Sequence, residues 1–302
     1  MIERGELSRI VFGCGNFGGM GSSPSLREHG EGRDEAVALL DHARALGLTR
    51  FDTANTYGGG SSERFLGEWL GRQDKAWRAG VEVATKVGNP YGAPDGVGPL
   101  SRAQVAHHLD ESLRRLGLER IDLYYLHEFD PKTSLDETLE ALDRALAAGK
   151  IAHFGVSNAT HADLAAVLAL TGGAPRAAFT HVQNEFSLIQ PRDLADVVPL
   201  AVDNDLRYVA FSPLAGGLLT GKYRLDQTPA AGTRLASARG HYEHLLTSET
   251  FAAIEELARR AEAHGWTLPG AALRVVLDTP GVDSLIIAPR SLAQFAAYGF
   301  AE

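Results

Sequence analysis

Four side chains with acid–base chemistry stand close to the ends of apolar runs. Asp52 and Tyr57 lie together in FDTANTYGGGSSE, Lys86 in VATKVG and His127 in LYYLHEFD. A phenol titrates near ~10 and is a poor proton donor at neutral pH. A lysine ammonium beside it favours the phenolate and lowers that pKa. A carboxylate beside the lysine holds and orients it. A histidine orients a carbonyl oxygen and shares the proton transfer. Asp52, Lys86, Tyr57 and His127 fill these roles. The set suits carbonyl reduction, with hydride reaching carbon and a proton reaching oxygen. Each residue also has a plain structural reading: a turn cap, a surface lysine, a core histidine. Four acid–base groups at consecutive strand ends are much harder to read that way.

The elements that must position them alternate. Strands are expected at RIVFG (9–13), RFDTA (50–54), VEVATKV (81–87), IDLYYLH (121–127), IAHFGVS (151–157), FTHVQNE (179–185), RYVAFS (207–212) and SLIIA (284–288). Several are apolar on both faces, as strands buried in a parallel sheet are. Helices are expected at 34–46 with Gly47 as a stop, at 101–116 before Gly117, and at 134–148, where SLDE is a capping box. Further helical patterns lie near 160–170, 191–203, 249–264, 268–278 and 291–298. Eight strands with intervening helices make a (β/α)₈ TIM barrel in a single domain, with catalytic groups at the C-terminal strand ends. ERGELSRI reads as a short N-terminal β-hairpin turning at Gly5, and 213–248 as a long irregular loop after the seventh strand.

Two glycine motifs resemble phosphate sites and fail as written. Gly13-Cys14-Gly15-Asn16-Phe17-Gly18 is a literal G-x-G-x-x-G, but GMGSSP follows it and will not open a helix. A Rossmann turn needs that helix and an acidic residue about 20 positions on, beyond it. Gly216–Lys222 matches G-x-x-x-x-G-K, yet Tyr223 stands where a P-loop needs Ser or Thr. A glycine turn with Lys222 beside it still suits a phosphate.

The bulk composition narrows the classes. The 302 residues are 44% hydrophobic and 22% charged, with a formal net charge of −9, which argues against wholesale binding to nucleic acid or an anionic membrane. Cys14 is the single cysteine, so no intrachain disulfide forms, and the N-terminus lacks an apolar signal core. A cytoplasmic protein is expected. No Cys/His spacing suggests a metal, and His107, His108, His241 and His244 read as surface or helix-face histidines. Neither Tyr-x-x-x-Lys nor G-x-S-x-G is present.

FDTANTYGGGSSERFLGEWL, VATKVG, RIDLYYLHEFD, ALAAGKIAHFGVSN, VQNEFSL, AFSPLAGGLLTGKY and IIAPRSLAQF together closely resemble the aldo-keto reductases, almost end to end. The resemblance implies a barrel that binds NADPH extended, without a Rossmann domain, around a tetrad of Asp52, Tyr57, Lys86 and His127. It implies that Ser157, Asn158 and Gln183 hold the nicotinamide carboxamide, with Phe211 stacked on the ring. Ser212, Leu214, Gly216 and Lys222 then wrap the pyrophosphate, Arg290 meets the 2′-phosphate, and Gln294 approaches the adenosine. Gly15 and Asn16 lie close to the cofactor. An arginine grips phosphate well, which favours NADPH over NADH. The chain departs from the family pattern at Ala288 and Pro289 before Arg290, at Phe295, and at Tyr298, where Asn is usual. The substrate is a small carbonyl compound in a pocket built by 16–32, 88–100, 128–133, 186–190 and 213–248, with Phe17, Tyr91, Phe129, Phe186 and Tyr223 as candidate lining. With the chain stopping at Glu302, that pocket is expected to be open, or completed by another chain. The alternative left open is an NADP(H)-binding regulatory protein of the same fold with little turnover.

Overall fold

A computed structural model describes residues 2–27, 29–92, 94, 96–172 and 178–301. Glu28, Ala93 and Asp95, in two of the loops expected to shape the pocket, lie outside the described residues. Eight parallel strands close into a barrel in chain order: β1 Ile10–Gly13, β2 Arg50–Asp52, β3 Glu82–Val87, β4 Ile121–Leu126, β5 Ile151–Ser157, β6 Phe179–Glu185, β7 Arg207–Phe211 and β8 Val282–Ile287. The register Gly13↔Asp52, Lys86↔Tyr125 and Ser157↔Gln183 brings the polar strand ends to one rim. β8 starts two residues earlier than the sequence pattern suggests, because Val282 already pairs with Tyr208 of β7.

The helices are α1 Arg33–Leu46, α2 Ser61–Leu70, α3 Lys75–Arg78, α4 Arg102–Leu116, α5 Leu135–Ala147, α6 His161–Leu170, α7 Val197–Asp203, α8 Arg234–Ser237, α9 Arg239–Tyr242, α10 Ser248–Ala263, α11 Leu268–Leu277 and α12 Leu292–Ala297. α5 starts as its capping box requires, with Ser134 Oγ accepting from Glu137 N. The expected pattern omitted α2. Its apolar residues Leu66, Trp69 and Leu70 do follow helical spacing and are buried. However, its N-cap is Gly60, which offers no capping side chain. The main core lies between strands and helices, with Phe12, Phe51, Trp69, Tyr124, Phe154 and Tyr208 among its residues.

Two expectations are corrected. ERGELSRI is a 3₁₀ helix, Arg4–Arg9, not a hairpin. Glu6 turns back to accept from Glu3 N at 3.0 Å, and Arg274 pairs with Glu6 at 2.7 Å. Arg9 donates to the carbonyls of Leu277, Val282 and Asp283, so the segment is tied to the N-terminal end of β8. The stretch after β7 is irregular only in part, through 221–233. It holds a 3₁₀ helix at Ala215–Thr220, α8, α9 and a 3₁₀ turn at Glu243–Leu245. Leu218, Leu219, Tyr223, Leu235, Tyr242 and Leu245 form a second apolar cluster against α10 and α11. Among the described residues, no helix is long and apolar enough to cross a membrane.

Candidate active site

The C-terminal rim opens into a cleft of about 1230 Å³. That exceeds the roughly 300–1,000 Å³ of ordinary small-ligand pockets and leaves room for an extended ligand beside a small one. Its base is an ion pair. Lys86, from β3, donates to Asp52 Oδ1 and, at 2.9 Å, to the Thr53 carbonyl. Lys86 is 1% exposed and Asp52 3%. The second carboxylate oxygen of Asp52 accepts from Gln183 Nε2 at 2.9 Å. Lys86 Nζ also reaches the Tyr57 hydroxyl at 3.5 Å. The His127 ring meets the Tyr57 ring edge-on, centroids 5.5 Å apart.

Tyr57 is placed by the turn after β2. Its neighbour Gly58 has φ +55, and a Cβ there would fall 2.4 Å from the Phe17 carbonyl, so the turn packs directly on the first βα loop. α2 fixes the other side. Ser62 Oγ donates to the Cys14 carbonyl at 2.8 Å and bonds Thr53 Oγ1 at 2.7 Å. Buried Glu63 accepts from Thr85 at 2.7 Å and from Arg115 at 2.9 Å. His127 is held from behind, where Asn158 Nδ2 donates to its carbonyl at 2.9 Å.

Burial sets the charge states. It pulls the Lys86 ammonium down, but Asp52 and Tyr57 more than offset that and hold it above its ordinary value. Burial raises the Tyr57 phenol above 10, against the pull of Lys86. Lys86 does pull the Tyr57 pKa down, as expected, but desolvation is the larger effect and Asp52 adds to it, so the net shift is upward. Burial, assisted by Lys86, pushes His127 down to about 3, so the ring is neutral. Its Nδ1 is buried without a partner among the described residues.

The structure brings Gly15, Asn16, Ser157, Asn158, Gln183, Phe211, Ser212, Leu214, Gly216, Lys222, Arg290 and Gln294 to the cleft wall, together with Asp52, Tyr57 and His127. Lys86 lies beneath them. Phe211 projects among Val11, Val209 and Ile286 inside the barrel. Ser212, Ala215, Gly216 and Gly217 all have positive φ, which coils the chain tightly after β7. Of the five aromatic pocket candidates, Tyr91 alone is at the cleft. Phe17 is buried against Phe12, Phe186 against Tyr208, and Tyr223 in the cluster of the β7 loop. Phe129 packs on the main core. An aromatic residue between polar ones has the same sequence pattern in either place.

The sequence pattern did not single out Glu31, Asn89, Glu128, Arg234 and Tyr242, which also line the cleft. Arg234 has a buried Nη1 without a hydrogen-bond partner among the described residues, and it acts on Tyr57 as a cation that lowers the phenol pKa. No periodicity marks it. His241 is half-exposed yet lines the cleft, with Nε2 at 3.5 Å from Glu185 Oε1.

The arrangement offers a proton donor backed by a buried cation, a neutral imidazole beside it, and a wall that carries Lys222, Arg234 and Arg290. The model of the aldo/keto reductase family matches residues 9–300. The uncharacterized oxidoreductase YrpG of Bacillus subtilis is 33% identical, covering 96% of this chain and 85% of its own length. The L-glyceraldehyde 3-phosphate reductase of Escherichia coli is 31% identical, covering 83% of this chain and 73% of its own. The aldo-keto reductase yakc of Schizosaccharomyces pombe, whose name carries NADP(+), is 31% identical over 85% of this chain and 73% of its own.

Proposed function

This chain belongs to the aldo/keto reductase family, and on that premise we propose that it uses NADPH to reduce an aldehyde or ketone to an alcohol, as a single domain. The observation that carries the reading is the buried Asp52–Lys86 pair directed at Tyr57 on the floor of the cleft. The cleft fits a dinucleotide. It has room for one at about 1230 Å³, it has a buried Nη1 of Arg234 without a partner among the described residues, and Lys222 and Arg290 line its wall. Ser157, Asn158 and Gln183 would hold the carboxamide, with Phe211 against the ring. Ser212, Leu214, Gly216 and Lys222 would hold the pyrophosphate, Arg290 the 2′-phosphate and Gln294 the adenosine, with Gly15 and Asn16 close by. When bound, the nicotinamide supplies the hydride to the carbonyl carbon.

The chain's own residues supply the rest. Tyr57 keeps its proton because burial raises its pKa, and it passes that proton to the carbonyl oxygen as negative charge develops there. The phenolate left behind is stabilised by the Lys86 ammonium, which Asp52 and Thr53 hold in place. Neutral His127 donates a hydrogen bond to the same oxygen and orients it. Replacing Tyr57 by Phe tests this. Among the described residues the hydroxyl's one partner is a long 3.5 Å contact, so fold and NADPH binding should survive. NADPH oxidation over a panel of aldehydes and ketones should fall by about 10²–10⁴-fold. Undiminished turnover in the variant, or tight binding without turnover in the parent, refutes the assignment.

A further inference from the structure

Arg290 is already engaged. Its Nε donates to Glu31 Oε1 at 2.5 Å, Nη2 to the His29 carbonyl at 2.8 Å, and Nη1 to the Gly232 carbonyl at 3.2 Å, with Met20 Sδ at 3.9 Å. Glu31 has a side chain only 5% exposed, in contrast to the solvated carboxylates of most arginine pairs. Its backbone is pinned to the first βα loop, with Glu31 N donating to the Asn16 carbonyl and Gly18 N to the Glu31 carbonyl, each at 2.8 Å. The carboxylate is therefore part of the wall. Its Oε2 is buried without a partner among the described residues. Glu31, Arg290 and Gln294 all line the cleft.

These two side chains recognise opposite chemistry. A ribose 2′-hydroxyl is a donor that a carboxylate accepts, whereas a 2′-phosphate is an anion that a guanidinium binds and a carboxylate repels. We propose that Glu31 is a specificity-determining residue. It competes with a 2′-phosphate for Arg290 and accepts from an unphosphorylated ribose, so that this chain takes NADH as well as NADPH. The proposal rests on the dinucleotide reading above, and it assigns to Glu31 a role opposed to that of Arg290.

Calorimetric titration of the full chain with NADPH and with NADH tests it without turnover. The parent should bind both, within about tenfold of each other. Glu31→Gln keeps the side-chain shape and should raise the NADPH-to-NADH affinity ratio by roughly tenfold, as an acceptor that no longer repels phosphate. Arg290→Leu should shift the preference towards NADH, and the gain from Glu31→Gln should be smaller in the double variant, where competition for Arg290 no longer contributes. An unchanged ratio in Glu31→Gln, or a gain undiminished without Arg290, overturns the proposal while leaving the dinucleotide reading intact. A parent that binds neither nucleotide overturns both.

Discussion

Replacing Lys86 by Met separates the structural work of the ammonium from its chemical work. The side chain is 1% exposed and satisfies Asp52 Oδ1 and the Thr53 carbonyl. Methionine matches its length but leaves Asp52 buried, with Gln183 Nε2 on its other oxygen. Removing one partner of a buried ion pair costs about 3–5 kcal/mol, because an uncompensated charge stays inside. At about 2 °C per kcal/mol for a chain of this size, the melting temperature should fall by about 6–10 °C. Turnover should fall by about 10²-fold or more, since the phenolate of Tyr57 loses its cation. Adding Asp52→Asn removes the stranded charge and still lets Gln183 donate to a side-chain oxygen. That double variant should recover about 1–3 kcal/mol relative to Lys86→Met alone, without recovering turnover. Differential scanning calorimetry and steady-state reduction kinetics on all three proteins measure the two effects separately. A melting temperature within about 1 °C of the parent for Lys86→Met refutes the buried charged pair. Turnover restored in the double variant refutes the action of the ammonium on Tyr57.

Other outcomes follow from burial and backbone shape. His127 and His181 are both pushed down to about 3 by burial, while the unfolded chain takes up protons near ~6.5. Their contribution is present above that value and is lost as pH falls towards 3, at about 1.4 kcal/mol per pH unit for each histidine. Denaturant unfolding between about pH 7 and 5 should show the slope, and His181→Gln should reduce it by one proton; an unaltered slope contradicts the assignment. Gly216 has φ +63, and a Cβ there would lie 2.5 Å from the Tyr242 ring. Gly216→Ala should cost about 1–3 kcal/mol and weaken NADPH binding, so an unchanged dissociation constant would rule out a close fit of ligand to this turn.

The barrel was legible because its strands are short, rich in β-branched and aromatic residues, and buried on both faces. The helices were legible where they carry caps, as at Ser134, Gly47 and Gly117. α2 was missed because Gly60 caps it without a side chain. The N-terminal hairpin was misread because Gly5 looks like a turn, whereas the Glu6–Arg274 pair that shapes the segment joins residues 268 apart. The tetrad's residue types were visible from local motifs at strand ends. Phe17, Phe186 and Tyr223 were placed wrongly because an apolar ring carries no local mark of whether it faces a core or a cleft.

By itself, then, the sequence determined the strand–helix alternation and which side chains could act as acid, base and cation, since both are carried by residue type and short-range periodicity. The tertiary structure decided their states. Burial raises the Tyr57 phenol, keeps His127 neutral and encloses the Asp52–Lys86 pair. Desolvation is imposed by segments far apart in the chain. For the same reason Glu31 and Arg290, 259 residues apart, meet only when the barrel closes β8 onto β1.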